Sequence, residues 1–398
     1  MKNLENFSIN YKKVLFRADL NVPVIDGKIS DFSRILAVNQ SIQKLLNQNN
    51  KIFIITHFGR PKGEVNKKYS IKFLIPFLEE IYRVKKIFFL ENLNSKSIIK
   101  KLDELNFGDI CLVENIRFYP EEEKLDLNFA KKISNHFDVF VNDAFSASHR
   151  NHTSISGITK FLPGVAGDHL LKEIHNIDIF LKNVKKPNIA IIGGSKVSTK
   201  IKLLNNLIEL FSTIVIGGAM ANTFLLSNNY QLGNSLVEKE LTNIAKDIQS
   251  KANKFNCKLI LPIDVMCSNN VSDKINIRTC NVNKVLKNHM ILDLGEKTTN
   301  FICNEILKSK MLLWNGPLGA FEHKPFDIST MKIAHTINKY SKSLNIDALA
   351  GGGDTVSAIT SANAEEGFKY ISNAGGAFLE WLEGNESPGI KALKDKKI

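Results

Sequence analysis

Short apolar runs recur along the chain, with amphipathic stretches between them. In the first half they are Val14–Phe16, Ile52–Ile55, Ile87–Leu90, Ile110–Val113 and Val139–Val141. In the second half they are Ile189–Ile192, Ile214–Ile216, Leu259–Leu261, Met290–Leu292, Met311–Leu313 and Ala348–Ala350. Unbroken apolar runs bounded by turn residues suit strands buried on both faces. Apolar spacing near 3.6 predicts helices over Phe32–Gln48, Ile71–Arg83, Asn128–Asn135, Lys202–Phe211, Glu238–Phe255, Ile328–Tyr340 and Thr355–Ala362. Strands alternating with helices in this way predict α/β architecture with parallel, doubly wound sheets. Gly164–Lys182 reads as one long helix joining the two series, and as the hinge. The polar end, Glu383–Ile398, is either a tail or a strap back to the first domain.

Ligands of open α/β sheets bind beyond the carboxyl ends of the strands, so the strand ends carry the chemistry. Those of the first half run into arginines. Val14–Phe16 leads to Arg17, Asp19 and Asn21, and Ile52–Ile55 to His57, Gly59 and Arg60. Ile110–Val113 leads to Asn115 and Arg117, and Val139–Val141 to Asp143, His149, Arg150 and His152. Arg34 opens a helix. Taken singly, each arginine could be a surface or carboxylate-paired residue; as a set on one sheet edge they describe an anion site. His57 beside Gly59 and Arg60 reads as a phosphate or carboxylate donor. Arg150, between His149 and His152, argues against a metal pair there. Ser146 and Ser148 lack a nucleophile elbow.

The strands of the second half run into glycines: Gly193-Gly194, Gly217-Gly218, DLGEKTT, WNGPLGAFE and GGGDT. Glycine at a strand end lets a ligand approach the backbone and offers N–H groups to phosphate. Five such turns describe a nucleotide crevice. Around PNIAIIGGSKVSTK, helical character from Lys196 onward sets Lys196 and Lys200 at i, i+4 on one helix face near its N-terminus. Two cations there oppose each other and the helix dipole by roughly 0.2–1 kcal/mol. An anion held between them removes that penalty; otherwise both are solvated surface lysines. The Walker spacing is absent. Asp354, after Gly351-Gly352-Gly353 at a helix start, is a cap or a Mg²⁺ ligand.

Composition sharpens this reading. At 398 residues the chain suggests two domains, and its formal charge of +13 suggests anionic partners. Only Arg17, Arg34, Arg60, Arg83, Arg117, Arg150 and Arg278 are arginines, so lysine supplies charge almost everywhere else. Kept arginines point to bidentate anion recognition, which lysine cannot give. Cys111, Cys257, Cys267, Cys280 and Cys303 show neither disulfide nor zinc spacing, and a reducing cytosol fits them best. No apolar run approaches the ~18 residues of a membrane span, and the first residues lack a signal-peptide pattern.

Together RADLNVP, THFGRPKG, ENIRF, VNDAFSASHRNHTS, IIGGSKVSTK, VIGGAMANTF, LLWNGPLGAFE, LAGGGDT and NAGGAFLEWLEG resemble the phosphoglycerate kinase family, in order, across nearly the whole chain. The resemblance implies two doubly wound, Rossmann-like domains joined by a long hinge helix spanning 164–182. Residues 1–166 would form a 3-phosphoglycerate domain with 376–398 packing back on it, and 167–375 a nucleotide domain. It implies a cytoplasmic, hinge-bending monomer that transfers phosphoryl in line between 1,3-bisphosphoglycerate and ADP with Mg²⁺, and no nucleic-acid or membrane partner. By resemblance, Asp19, Asn21, Arg34, His57, Gly59, Arg60, Arg117 and Arg150 bind the triose. Gly193, Lys200, Gly217, Gly218, Asn315, Glu322, Gly352, Gly353, Asp354 and Thr355 bind the nucleotide. Arg34, Lys196, Lys200, Gly352 and Gly353 serve catalysis, and Asp354 holds the metal. Thr199, Ser146-Ala147-Ser148 and Ser372-Asn373-Ala374 depart locally from the family pattern; the asparagine falls where closure is expected.

Two rivals remain. A Rossmann dehydrogenase lacks its G-x-G-x-x-G with a downstream acid. A nucleic-acid binder accounts for the charge, and Phe58, Phe118 and Phe145 do neighbour basic loops; binding with a steep salt dependence would reveal it.

Overall fold

The strand β1 (Lys13–Arg17) shows how the chain builds its first sheet. Val14 and Phe16 enter one core with Ile52, Ile54, Ile110 and Leu112. Leu15 enters another with Phe53, Ile55, Cys111 and Phe140. Alternate residues thus bury on opposite faces, as a central parallel strand requires. The computed structural model describes residues 1–394, so residues 395–398 of the expected returning segment lie outside the described residues. Around β1 come a two-residue hairpin, β2 (Val24–Ile25) and β3 (Lys28–Ile29), then β4 (Lys51–Ile55), β5 (Ile87–Leu90), β6 (Ile110–Val113), β7 (Val139–Asn142) and β8 (Gly164–Ala166). The hairpin apart, these strands form one parallel sheet ordered β5-β6-β4-β1-β7-β8. All their carboxyl ends therefore share one edge.

The second sheet repeats the plan. It is ordered β11 (Lys258–Ile260), β10 (Thr213–Ile216), β9 (Asn188–Ile192), β15 (Met311–Asn315), β16 (Asp347–Gly351), β17 (Tyr370–Ser372), again all parallel. Ile189, Ile191, Leu312, Trp314, Ala348 and Ala350 fill the core on one face. A separate antiparallel sheet joins β12 (Asp264–Ser268), β13 (Arg278–Asn281) and β14 (Met290–Leu294). The chain divides into two compact units, one of residues 1–176 with 386–398 and one of residues 177–385. The sequence reading set that division at 166/167 and began the returning segment at 376. Helix Gly376–Leu382 groups with the second unit and Pro388–Lys394 with the first.

Four local expectations are corrected. Phe32–Gln48 is two helices, Ser33–Ala37 and Asn39–Asn47, broken at Val38 (φ −91°, ψ −2°), which is buried. Gly164–Lys182 opens as β8, because Gly164 and Val165 pair with β7; the helix proper is Asp168–Lys182. Met290–Leu292 lies in the antiparallel sheet, so its DLG turn does not end a strand of the parallel one. The helix expected from Lys196 starts only at Ile201. Ser198 N–H and Oγ are both taken by Glu238, which keeps Val197–Lys200 in a turn.

Candidate active site

In the first unit, the strand ends gather a basic surface around Asp19. One Asp19 carboxylate oxygen accepts from Arg34 Nη1 and from Ser146 Oγ, and the other accepts Asn21 N–H at 3.1 Å. Burial pushes its carboxyl up, but Arg34 and these hydrogen bonds hold it below the usual carboxylate range. Asn21 Oδ1 in turn accepts Gly59 N–H at 2.9 Å, and Arg117 Nη1 donates to Gly59 O at 2.7 Å. Asp19, Asn21, Arg34, Ser146, Gly59 and Arg117 are thereby one connected group.

Arg17, the last residue of β1, lies beneath that group and is 1% exposed. Its Nε donates to Ser154 Oγ at 2.9 Å, and that hydroxyl donates to Glu122 Oε1 at 2.6 Å. Its Nη2 lies 3.2 Å from His57 Nδ1. A guanidinium only donates, so Nδ1 is the acceptor and the proton of a neutral ring sits on Nε2. Burial, with Arg17, Arg117 and Arg150 nearby, keeps His57 far below its ordinary pKa even beside Asp19. Burial with Arg150 and Arg117 lowers His149, and burial with Arg117, Arg150 and Arg17 takes His152 to about 4. Arg117 falls to about 10 through burial and its repulsion by Arg150 and Arg17. Arg117 Nε is 3.3 Å from Glu123 Oε1, but out of line for a hydrogen bond. Arg60 is exposed and Arg150 half-buried. Among the described residues neither has a carboxylate within ion-pair distance. The surplus is positive and the histidines are neutral, an arrangement suited to an anion carrying phosphate or carboxylate.

Sequence reasoning counted Arg17 in the anion-binding set without a role of its own, weighed Ser146 only as a nucleophile, and did not single out Glu122. The arginine was visible as a strand-end charge. Glu122 is one of three successive glutamates, and nothing in their spacing says that it alone is wholly buried.

In the second unit the strand ends form a glycine cradle. Asn315, ending β15, accepts from Lys200 Nζ through Oδ1 and donates to Gly351 O at 2.6 Å. Thr355 Oγ1 accepts Gly316 N–H at 2.6 Å. Gly193 N–H donates to Asn315 O, and Gly217 N–H to Ile192 O, each at 2.9 Å. A Cβ on Gly193 would run into the carbonyls of Gly316 and Pro317, so only glycine lets these turns close. Gly352 sits at φ +100° before the helix Gly353–Ser361, with Gly353 and Asp354 exposed in its first turn.

Lys200 is 8% exposed, and burial lowers its pKa to about 8, opposed by Asp354 and Glu383. It occupies the cap position of the helix Ile201–Leu210, where a cation meets the positive end of the dipole. Lys196 is exposed on the preceding turn, so the two lysines do not share a helix face. Beside the cradle opens a cleft of about 580 Å³, walled by Leu236, Leu292, Leu294, Leu318 and Phe321 and bordered by Gly194, Gly218, Glu322 and Asp354. Apolar walls with polar groups at one end suit a flat base joined to a charged tail. Five glycine turns were expected; four end the parallel strands, and β14 lines the cleft with its length instead. No group of three or more His, Cys, Asp or Glu is gathered for a metal among the described residues, and Asp354 lies at the cleft border that Glu322 and Asp293 also line.

The family model described as phosphoglycerate kinase matches residues 4–385. A phosphoglycerate kinase of Brucella melitensis biotype 1 is 41% identical over 393 residues, covering 99% of each chain. One of Wolbachia pipientis wMel is 42% identical over 397 residues, 99% of this chain and 98% of that one. The solved phosphoglycerate kinase from Coxiella burnetii superposes with a TM-score of 0.85 at 34% identity, covering 98% of both chains. That from Pyrococcus horikoshii OT3 gives 0.84 at 28% identity, over 99% of this chain and 98% of its own.

Proposed function

Because the chain belongs to the phosphoglycerate kinase family, we propose that its basic strand ends bind the triose and its glycine cradle the nucleotide. The activity is phosphoryl transfer between 1,3-bisphosphoglycerate and ADP, giving 3-phosphoglycerate and ATP in glycolysis. On this reading Asp19, Asn21, Arg34, His57, Gly59, Arg60, Arg117 and Arg150 hold the triose, with His57 offering Nε2–H. The apolar cleft takes the base and Glu322 the ribose. Gly193, Gly217, Gly218, Asn315, Gly352, Gly353 and Thr355 shape the phosphate end.

An acyl phosphate is already activated, so no side chain need act as nucleophile. An oxygen of the ADP β-phosphate attacks the phosphorus in line, and the carboxylate leaves as 3-phosphoglycerate. Catalysis is then positioning and charge stabilisation. Arg34, Lys196 and Lys200 neutralise the moving group. A charged contact of this kind can supply ~10³–10⁵ in rate. Asp354 fits a Mg²⁺ that arrives with the nucleotide, since this cation takes one or two carboxylates and completes its shell with phosphates and waters. Bound there, it offsets phosphate charge. Closure of the two units belongs to the same proposal, because it shields the acyl phosphate from water.

The reading extends to a cytoplasmic monomer acting on small molecules. No helix of the described residues is long and apolar enough to cross a membrane. One observation carries the proposal: Lys200 is a buried cation whose ammonium, among the described residues, is hydrogen-bonded only to a neutral amide at the foot of a glycine cradle. Such a charge calls for an anionic ligand. The test is 1,3-bisphosphoglycerate formation from 3-phosphoglycerate and Mg·ATP in a coupled assay, with Lys200→Ala alongside. Turnover by the wild type and its collapse in the variant are expected. An Lys200→Ala enzyme at wild-type rate overturns the assignment.

A further inference from the structure

The turn that carries the two lysines is held by a residue outside the cradle. Apolar spacing favours a helix reaching back to Lys196, yet the helix begins at Ile201. Glu238 accounts for the difference. Its Oε2 accepts Ser198 N–H at 3.0 Å and its Oε1 accepts Ser198 Oγ–H at 2.6 Å. Burial works against its charge, but the Ser198 groups, the Val197 amide and Lys196 hold its carboxyl below the ordinary range.

Glu238 is itself anchored. Its N–H donates to Thr223 Oγ1 at 3.1 Å, and Asn222 Nδ2 donates to Leu236 O at 3.1 Å. Asn222 and Thr223 belong to the helix Ala219–Ser227, which opens from Gly218 at the cleft. Met220 N–H then donates to Gly194 O at 3.0 Å. The bonds close a circuit: glycine turn, helix, the 236–238 segment, Glu238, Ser198 and back along the turn to Gly194. Leu236, in that segment, is also a wall of the cleft.

We propose that Glu238 is a positioning residue for phosphoryl transfer, gripping Ser198 so that Lys196 and Lys200 meet the nucleotide phosphates from a turn and a helix cap rather than from one helix face. The inference rests on the assignment of those lysines given above. Without the grip, the turn is free to wind into another helical turn and carry Lys196 away. A displacement of about 1 Å at such a contact can cost ~10²-fold in rate.

The test compares Glu238→Ala, Glu238→Gln, Ser198→Ala and the double alanine variant in the coupled assay, with thermal melts. Glu238→Ala should lose about 10²-fold in kcat while KM for 3-phosphoglycerate stays within twofold and the melt within a few degrees. Glu238→Gln, which keeps one acceptor oxygen, should recover part of the loss. The double variant should be no slower than Glu238→Ala, since both changes remove one interaction. Wild-type kcat in Glu238→Ala, or losses that multiply in the double variant, overturns the proposal. If Glu238→Ala does not fold, Ser198→Ala decides: a several-fold fall in kcat supports the proposal and an unchanged kcat overturns it. Lys200→Ala at wild-type rate would overturn this proposal together with the lysine assignment, whereas a dead Lys200→Ala beside a fully active Glu238→Ala overturns the positioning role alone.

Discussion

Lys200 and Asn315 are locked together at the base of the cradle: the ammonium donates to Oδ1, and the amide nitrogen donates onward to Gly351 O at 2.6 Å. The charge therefore leans on a neutral group, with Asp354 and Glu383 acting only through space. A lysine whose folded pKa lies below its unfolded value weakens the fold while it is charged. The penalty is complete below the folded pKa and fades as pH rises toward the unfolded one.

That gives the first prediction. The drop from 10.5 to about 8 corresponds to about 3 kcal/mol. Roughly 1 kcal/mol is lost again when Asn315 Oδ1 has no donor. Lys200→Met should therefore raise the unfolding free energy by about 2 kcal/mol at pH 7 while abolishing turnover. The advantage should shrink between pH 8 and 10.5. Denaturant melts at pH 7 and pH 10 check this; a variant less stable than the wild type at pH 7 contradicts it.

Arg34 shares its guanidinium with Asp19 through Nη1, which leaves its other donors for a ligand. Lysine can replace the ion pair but not the fork. Arg34→Lys should bind 3-phosphoglycerate within a few-fold of wild type, because Arg117, His57 and Arg150 remain. Its kcat should fall by ~10²-fold or more. Calorimetric titration and steady-state rates separate the two, and an unchanged kcat removes Arg34 from the reacting centre.

The half-buried His152 makes the first unit acid-sensitive. His152, 3.7 Å from Glu122, has its pKa lowered to about 4 by burial and by Arg117, Arg150 and Arg17. As pH falls below 6.5 the unfolded ring takes up a proton that the folded ring refuses, so stability drops until about pH 4. Asp143, raised to about 7 by burial, contributes the opposite trend. Comparison with a variant isolates the imidazole. His152→Gln should recover about 1–2 kcal/mol at pH 4.5 relative to its effect at pH 7, allowing for solvent screening. Inorganic phosphate, by neutralising the arginines, should narrow that gap. Urea melts at the two pH values, with and without phosphate, measure both effects.

Much of this was legible in the sequence because the strands are buried on both faces and so appear as unbroken apolar runs. Val14–Phe16 and Ile189–Ile192 sit at the centres of their sheets, as such runs should. The helix Ala219–Ser227 escaped notice because nearly all its residues are buried, which leaves no polar face to set a period. The start of the helix after Lys200 was misread because the residue that delays it, Glu238, is 40 positions from Ser198 in the chain. Strand-end charges were visible one by one. That Arg17 lies beneath the others, bonded through Ser154 to Glu122, depends on folding that no local spacing records.

The cradle offers a last test through Gly352. Its backbone lies at φ +100°, a region that side chains with a Cβ rarely adopt, and an added Cβ would come within 2.7 Å of Asn315 Nδ2. Strain of that kind costs about 1–3 kcal/mol. Asn315 is also the group that holds Lys200, so the clash should reach the ammonium without touching it. Gly352→Ala is expected to melt lower, to raise KM for ATP at least tenfold and to lower kcat. 3-Phosphoglycerate binding, which we place in the first unit, should stay as it is. Gly353 has no neighbour within 4 Å of the position a Cβ would take, so Gly353→Ala should leave the melt unchanged. If both alanine variants melt alike, Gly352 is not the strained point. If Gly352→Ala weakens both substrates equally, the damage is general unfolding rather than a shift of the Asn315–Lys200 pair.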